Sequence, residues 1–309
     1  MRISTPQLYN TNVSNLTRQQ SDLVHSQQQL STGKRVLTPA DDPVAAARAL
    51  EVGQSVAINS AQATTQGTAT DSLKQLDSRL SSINDILTYI HERAVQAGSG
   101  TLNQADRDTI ATDVAAQFDE LMSQANTVDP NGEYVFAGYK GDQQPFVGNL
   151  AGVTYQGDQG SRSLQVSNSR QIPIGVNGNE LFMNVDDGAG GVTDTFSIIS
   201  NLVSTIKNSG LSSSAYSAAI EKSMGQLNNA QDNVLRLQSQ TGSRMVELDA
   251  LTSMGENLNT QYASTLNTLV GLDYISTIST YQQQNTYLEA SRSTFSKVSG
   301  LSLFNYLGG

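Results

Sequence analysis

The sequence predicts a mainly α protein: an elongated antiparallel helical bundle or coiled coil formed by the N- and C-terminal segments, with a small β-rich inserted domain. Three observations carry this. Apolar residues recur every seven positions at both ends, a tract between them holds a step of three and four without a slip, and 12 of the 25 glycines fall within residues 131–195.

Near the N-terminus Leu16, Leu23 and Leu30 stand seven apart, with Val13, Gln20 and Gln27 filling the alternate seam positions. A helix here carries one narrow apolar stripe between polar flanks, and such a stripe needs a partner. The run breaks at Ser31-Thr32-Gly33-Lys34-Arg35, where Gly33 suits the left-handed C′ geometry and Lys34 and Arg35 lie near the last carbonyls of the helix. It restarts at Asp42-Pro43, an N-cap residue followed by proline in the first helical position.

Leu73, Leu76, Leu80, Ile83, Leu87, Ile90, Ala94 and Ala97 then alternate steps of three and four, a coiled-coil seam over about 25 residues or roughly 37 Å. The seam stops at Gly98-Ser99-Gly100. Asn103 caps a third helix with Ile110, Val114, Phe118, Leu121 and Ala125 on one face, and the short connection makes the two helices antiparallel neighbours.

Asp129-Pro130-Asn131-Gly132 is a turn signal, after which short strand-like runs (Tyr134 to Phe136, Val153 to Tyr155, Ser163 to Val166, Ile172 to Val176) alternate with turn clusters. Asp186-Asp187-Gly188 with Asp194 lacks the alternating carboxylates and bidentate Glu of a calcium-binding loop and reads as a solvated turn. Helical period returns at Phe196, Ile199, Leu202, Val203 and Ile206. A long tract follows with two adjacent seams, Leu227, Val234, Thr241, Leu248 and Ala230, Leu237, Arg244, Leu251, Leu258. Past Gly271, Tyr274, Tyr281, Leu288 and Phe295 keep the seven-residue step and lead into Val298, Leu301, Phe304 and Leu307.

The expected organisation is therefore terminal assembly helices over 1–50 and 271–309, a bundle core over 51–130 and 196–270, and a β-rich outer domain over 131–195. Matching stripes at the two ends predict that the termini pair antiparallel. Gln20, Gln27, Asn285 and Arg292 lie on or beside those seams, so the pair buries little against its ordering entropy, and the ends are expected to be disordered in the monomer. The candidate assembly residues are Leu16, Leu23, Leu30, Tyr281, Leu288, Phe295, Val298, Leu301 and Phe304.

Composition narrows the function. A chain of 309 residues with 37 % hydrophobic and 6 % aromatic residues and no Trp is thin in core-forming side chains, and a net charge of −10 without a basic cluster argues against nucleic acid. Zero cysteines excludes disulfides, thiolate metal sites and cysteine nucleophiles. No apolar run approaches the roughly 20 residues of a membrane span, and the N-terminus lacks the layout of a secretory signal. His25 and His91 sit within helical patterns without carboxylate or cysteine partners at ligand spacing, and Gly33-Lys34-Arg35 lacks the remaining glycine and Ser/Thr of a P-loop. The sequence thus offers no enzyme site and no cofactor site.

The stretch Leu30-Ser31-Thr32-Gly33-Lys34-Arg35 with Asp41-Asp42-Pro43 resembles the signature of the bacterial flagellin superfamily. Met1-Arg2-Ile3-Ser4, the C-terminal run Tyr287-Leu288-Glu289-Ala290-Ser291 to Leu301-Ser302-Leu303-Phe304-Asn305-Tyr306-Leu307, and Tyr134-Val135-Phe136-Ala137-Gly138, Pro145-Phe146 and Tyr155-Gln156-Gly157-Asp158 between them are similar to its hook-associated branch. Filament flagellins, the alternative within the superfamily, usually carry Ala where this chain has Pro43.

The resemblance implies a structural subunit of the flagellum that forms the layer between hook and filament and seeds filament attachment. It further implies an extracellular protein, exported unfolded through the flagellar type III apparatus without a cleaved signal peptide. Its terminal helices would line the inner tube, with Gln282, Gln283, Gln284, Asn285 and Thr286 as candidate polar lining, while the insertion faces outwards. The implied partners are further copies of itself, a neighbouring hook-associated protein, flagellin, and a cytoplasmic export chaperone that binds Leu288, Phe295, Val298 and Leu301 within about Tyr274 to Leu307. Neither nucleic acid nor membrane is an expected partner.

Overall fold

A computed structural model describes residues 5–307, with side chains for residue 7 and residues 9–297. The chain is mainly helical. In order it forms α1 (Thr5–Thr32), α2 (Pro43–Ala97), α3 (Gln104–Ala125), β1 (Phe146–Asn149), β2 (Gly152–Tyr155), β3 (Ser163–Ser167), β4 (Arg170–Pro173), a π-helical turn (Asn179–Met183), β5 (Val185–Asp186), β6 (Val192–Thr193), α4 (Thr195–Lys207), α5 (Ser213–Val270) and α6 (Tyr274–Leu307). Long helices from both ends with short antiparallel strands inserted between them match the fold class that the periodicity predicts.

Two compact units result. Unit 1 is Met1–Ser60 with Glu256–Gly309, and unit 2 is Ala61–Gly255. Residue 50, where the sequence pattern suggests a boundary, lies inside α2, which runs on without a break.

Unit 2 holds the main core. The predicted seam from Leu73 to Ala97 is buried along its whole length, with all eight residues at most 2 % exposed. Asn103 caps α3 as expected, its Oδ1 accepting from the Asp106 N–H at 3.0 Å. The face from Ile110 to Ala125 is buried against α4, whose Phe196, Ile199, Leu202, Val203 and Ile206 point into the same core. α2 and α5 run antiparallel: the Tyr216 hydroxyl donates to the Ala97 carbonyl at 2.9 Å, Gln231 Nε2 to Thr88 Oγ1 at 2.9 Å, and Thr252 Oγ1 to Gln66 Oε1 at 3.3 Å. Of the two seams read in α5, Leu227, Val234, Thr241 and Leu248 are buried throughout. The second is buried at Ala230 and Leu237 and only half-buried at Arg244, Leu251 and Leu258.

The insertion differs from the sequence reading in its pairing. It holds three separate two-stranded antiparallel hairpins, β1·β2, β3·β4 and β5·β6. The expected strand at Tyr134 to Phe136 is an irregular segment with one bridge, Val128 to Tyr134. β4 ends at Pro173, and the Ile174 N–H beyond it still donates to the Arg162 carbonyl at 2.8 Å. Each hairpin is too short to be stable alone and takes its stability from the helices. Phe146 and Phe182 join Phe118 and Phe196 in one aromatic cluster with neighbouring centroids 5.2–5.8 Å apart. Gln66, buried on α2, donates to the Val166 carbonyl at 2.8 Å and pins the β3·β4 hairpin. At the acidic turn, the Asp187 carboxylate accepts from the Ala189 and Gly191 N–H groups, Asp186 from Gly188, and Asp194 caps α4 through Ser197.

Candidate assembly interface

Unit 1 is built on the two stripes that flank the chain, and the structure brings them face to face. α1 and α6 pack as an antiparallel pair: the Tyr9 and Phe295 rings lie 5.3 Å apart, and Ser26 Oγ donates to Gln284 Oε1 at 2.8 Å. Leu288 is 4 % exposed in this seam, whereas Leu16, Leu23, Leu30, Tyr281 and Phe295 are half-buried. The side chains of Val298, Leu301 and Phe304, and the segment Met1 to Ser4, lie outside the described residues. The polar positions read in the seams explain the half-burial, since Gln20, Gln27, Asn285 and Arg292 are exposed and leave the apolar stripe narrow.

The turn between α1 and α2 locks onto the turn between α5 and α6. Gly33 takes φ +67°, a conformation only glycine enters cheaply, and closes α1 as predicted. Arg35 departs from the sequence reading, which placed it over the last carbonyls of α1. Its N–H donates to the Val270 carbonyl at 2.8 Å and its Nη2 to the Leu269 carbonyl at 2.9 Å, so it caps α5 instead. Lys34 bridges Gly271 antiparallel, and the Leu272 N–H donates to the Gly33 carbonyl at 3.2 Å.

The double aspartate completes this clasp. Asp41 Oδ2 accepts from the Leu37 and Thr38 N–H groups, with His25 Nε2 3.7 Å from its other oxygen. Asp42 Oδ1 caps α2 through the Ala45 N–H at 3.0 Å, and Oδ2 accepts from Arg35 at 3.1 Å. The backbone donors at Thr38 and at Ala45 hold the two carboxyls below the usual aspartate range. No sequence signal linked Arg35 to residues more than 230 positions away.

Among the described residues, unit 1 buries little apolar surface for what it exposes. Its buried apolar residues among those described are Val36, Ala45 and Leu288, while Val44, Leu50, Ile275 and Tyr287 are each more than 60 % exposed. Helices that leave large apolar side chains in water over so little core are shaped for apolar partners.

The comparisons with known proteins bear on the same segments. Residues 3–141 match the bacterial flagellin N-terminal helical region. The flagellar hook-associated protein 3 of Salmonella typhimurium is 35 % identical, over 98 % of this chain and 99 % of the relative, and that of Escherichia coli is 34 % identical over the same shares. Among solved structures, the flagellar junction protein FlgL of Legionella pneumophila shares the fold with a TM-score of 0.65 at 18 % identity, covering 72 % of this chain and all of that one. Near-complete coverage at this identity, together with long helices at both ends of the chain and short antiparallel strands inserted between them, places the protein in the flagellar hook-associated protein 3 family.

Proposed function

We propose that the protein is a structural subunit of the bacterial flagellum, forming the junction layer between hook and filament and seeding filament attachment, without enzymatic activity. The observation that carries this reading is the surface of unit 1, where Val44, Leu50, Ile275 and Tyr287 are exposed while the buried apolar residues among those described are Val36, Ala45 and Leu288. Apolar faces of this kind are completed by neighbouring subunits: further copies in the same layer, a second hook-associated protein on one side and flagellin on the other. Leu16, Leu23, Leu30, Tyr281, Leu288, Phe295, Val298, Leu301 and Phe304 are the proposed assembly residues, and the ends are ordered by those neighbours.

Export through the type III apparatus to the cell exterior belongs to the same proposal. A cytoplasmic export chaperone would bind Leu288, Phe295, Val298 and Leu301. Since α1 covers Leu288 and sets Tyr9 against Phe295, the chaperone would meet α6 with α1 undocked.

Cells lacking the protein are expected to make hooks and shed flagellin monomers into the medium, seen by electron microscopy and by immunoblotting of culture supernatant. Normal filaments on such cells would overturn the proposal.

The clasp gives a finer test. A Cβ at Gly271 would lie 2.2 Å from the carbonyl oxygen of Asn267 in the last turn of α5, so Gly271→Ala displaces the backbone that bridges Lys34. Gly53, inside α2, has open space around it, and Gly53→Ala is expected to be neutral or stabilising by about 0.5–1 kcal/mol. Swimming should be lost with Gly271→Ala and retained with Gly53→Ala. Wild-type swimming of the Gly271→Ala strain would show that the clasp is dispensable.

A further inference from the structure

The net charge of −10 is not shared between the two units. Unit 1 holds seven basic and seven acidic residues and is neutral, whereas unit 2 holds eleven basic and twenty-one acidic residues and carries the whole excess. In unit 2, Asp113, Asp129, Glu133, Glu180 and Glu247 meet arginines. Asp85, Glu92, Asp119, Asp232 and Asp249 are exposed and make no ion pair among the described residues.

The apolar surface is not divided in the same way: ten of the 19 exposed large apolar side chains among the described residues lie in unit 1, the smaller unit. Leu50 and Ile275 in unit 1 are 76 % and 85 % exposed. Unit 2 also exposes apolar residues, such as Val192 and Val246, but it carries the unpaired carboxylates in addition.

We infer that the acidic unit 2 acts as an electrostatic brake on the docking of a second copy of this chain through the neutral unit 1. The inference rests on the self-assembly reading above and adds its regulation. Two neutral surfaces approach without Coulomb cost, so the apolar faces of unit 1 are free to associate. α2 and α5 tie every unit 1 covalently to a unit 2, so each docking event also gathers acidic units carrying ten uncompensated charges apiece. Their repulsion acts through solvent and is screened by salt. Free copies at low ionic strength are thereby held apart, and association strengthens as screening rises.

The test is sedimentation velocity of the purified full chain in about 0.01 M and about 0.1 M NaCl, between which the Debye length falls from about 30 to about 10 Å. Self-association should strengthen about tenfold across that step. A variant combining Asp85→Asn, Glu92→Gln, Asp119→Asn, Asp232→Asn and Asp249→Asn halves the excess of unit 2. It should associate at low salt nearly as strongly as the wild type at high salt, with most of the salt dependence gone. Leu50→Asp should weaken association at both salts.

Wild-type association that is equal at both salts, or weaker at the higher one, would overturn the brake and leave self-assembly standing. Absence of association in the wild type and in the five-fold variant at every salt would overturn the self-assembly reading itself, and the brake with it.

Discussion

Leu80→Asp unfolds unit 2. Leu80 sits at the middle of the seam on α2, fully buried between Leu76 and Ile83, which are themselves at most 2 % exposed. Removing the leucine from such a site typically costs about 2–5 kcal/mol through lost burial and the cavity left behind. The aspartate adds a carboxylate that burial forbids from ionising freely and for which the seam supplies no cation. Together these approach the whole stability of an ordinary domain, about 5–15 kcal/mol. Circular dichroism of the variant should show the cooperative melt abolished or shifted far down, while Leu80→Met, which conserves volume, should cost less than about 1.5 kcal/mol. A wild-type melt in the aspartate variant would mean that the seam is exposed and the bundle wrongly assigned.

A chain of residues 51–270 behaves in the opposite way, keeping the melt and losing the function. It retains every core residue of unit 2, including the aromatic cluster of Phe118, Phe146, Phe182 and Phe196, and the antiparallel α2·α5 pairing from Gln66 to Ala97. What it loses is α1, α6, the clasp at Gly33 to Asp42 and the start of α2 from Pro43 to Leu50. The truncated chain should melt cooperatively near the wild-type temperature and fail to restore filaments in cells lacking the full protein. Filament attachment by the truncated chain would place the assembly surface in unit 2 and remove the role proposed for the terminal stripes.

What the sequence revealed and what it hid follow from the range of the forces involved. The helical seams were legible because heptad spacing is local: Leu73 to Ala97 obey it without a slip and are all buried. Caps were legible for the same reason, since Asn103 and Asp42 bond to N–H groups three residues on. The antiparallel pairing of α1 with α6 followed from two matching stripes. Arg35 was misplaced because its acceptors, Leu269 and Val270, are fixed by how two distant turns meet. The insertion was read as strands without its pairing into three hairpins, because two to five residues per strand carry too little alternation to define a register. Phe136 was assigned to a strand on its apolar neighbours, whereas its carbonyl accepts from the Tyr155 hydroxyl and from the Gly178 N–H, partners that only the fold supplies.

Limited proteolysis of the full-length monomer, read by mass spectrometry, tests most directly whether neighbours rather than its own chain order the ends. Ordering the backbone costs about 1–2 kcal/mol per residue, and among the described residues the α1·α6 pair sets against it one buried leucine and five half-buried apolar side chains. At concentrations where sedimentation shows a monomer, brief digestion should cut within α1 and within α6 and leave a folded core containing Leu73 to Leu248. The same segments should become protected once the protein is assembled between hook and filament. Equal resistance of α1, α6 and unit 2 in the monomer would contradict the account and show that the terminal pair is a self-contained coiled coil.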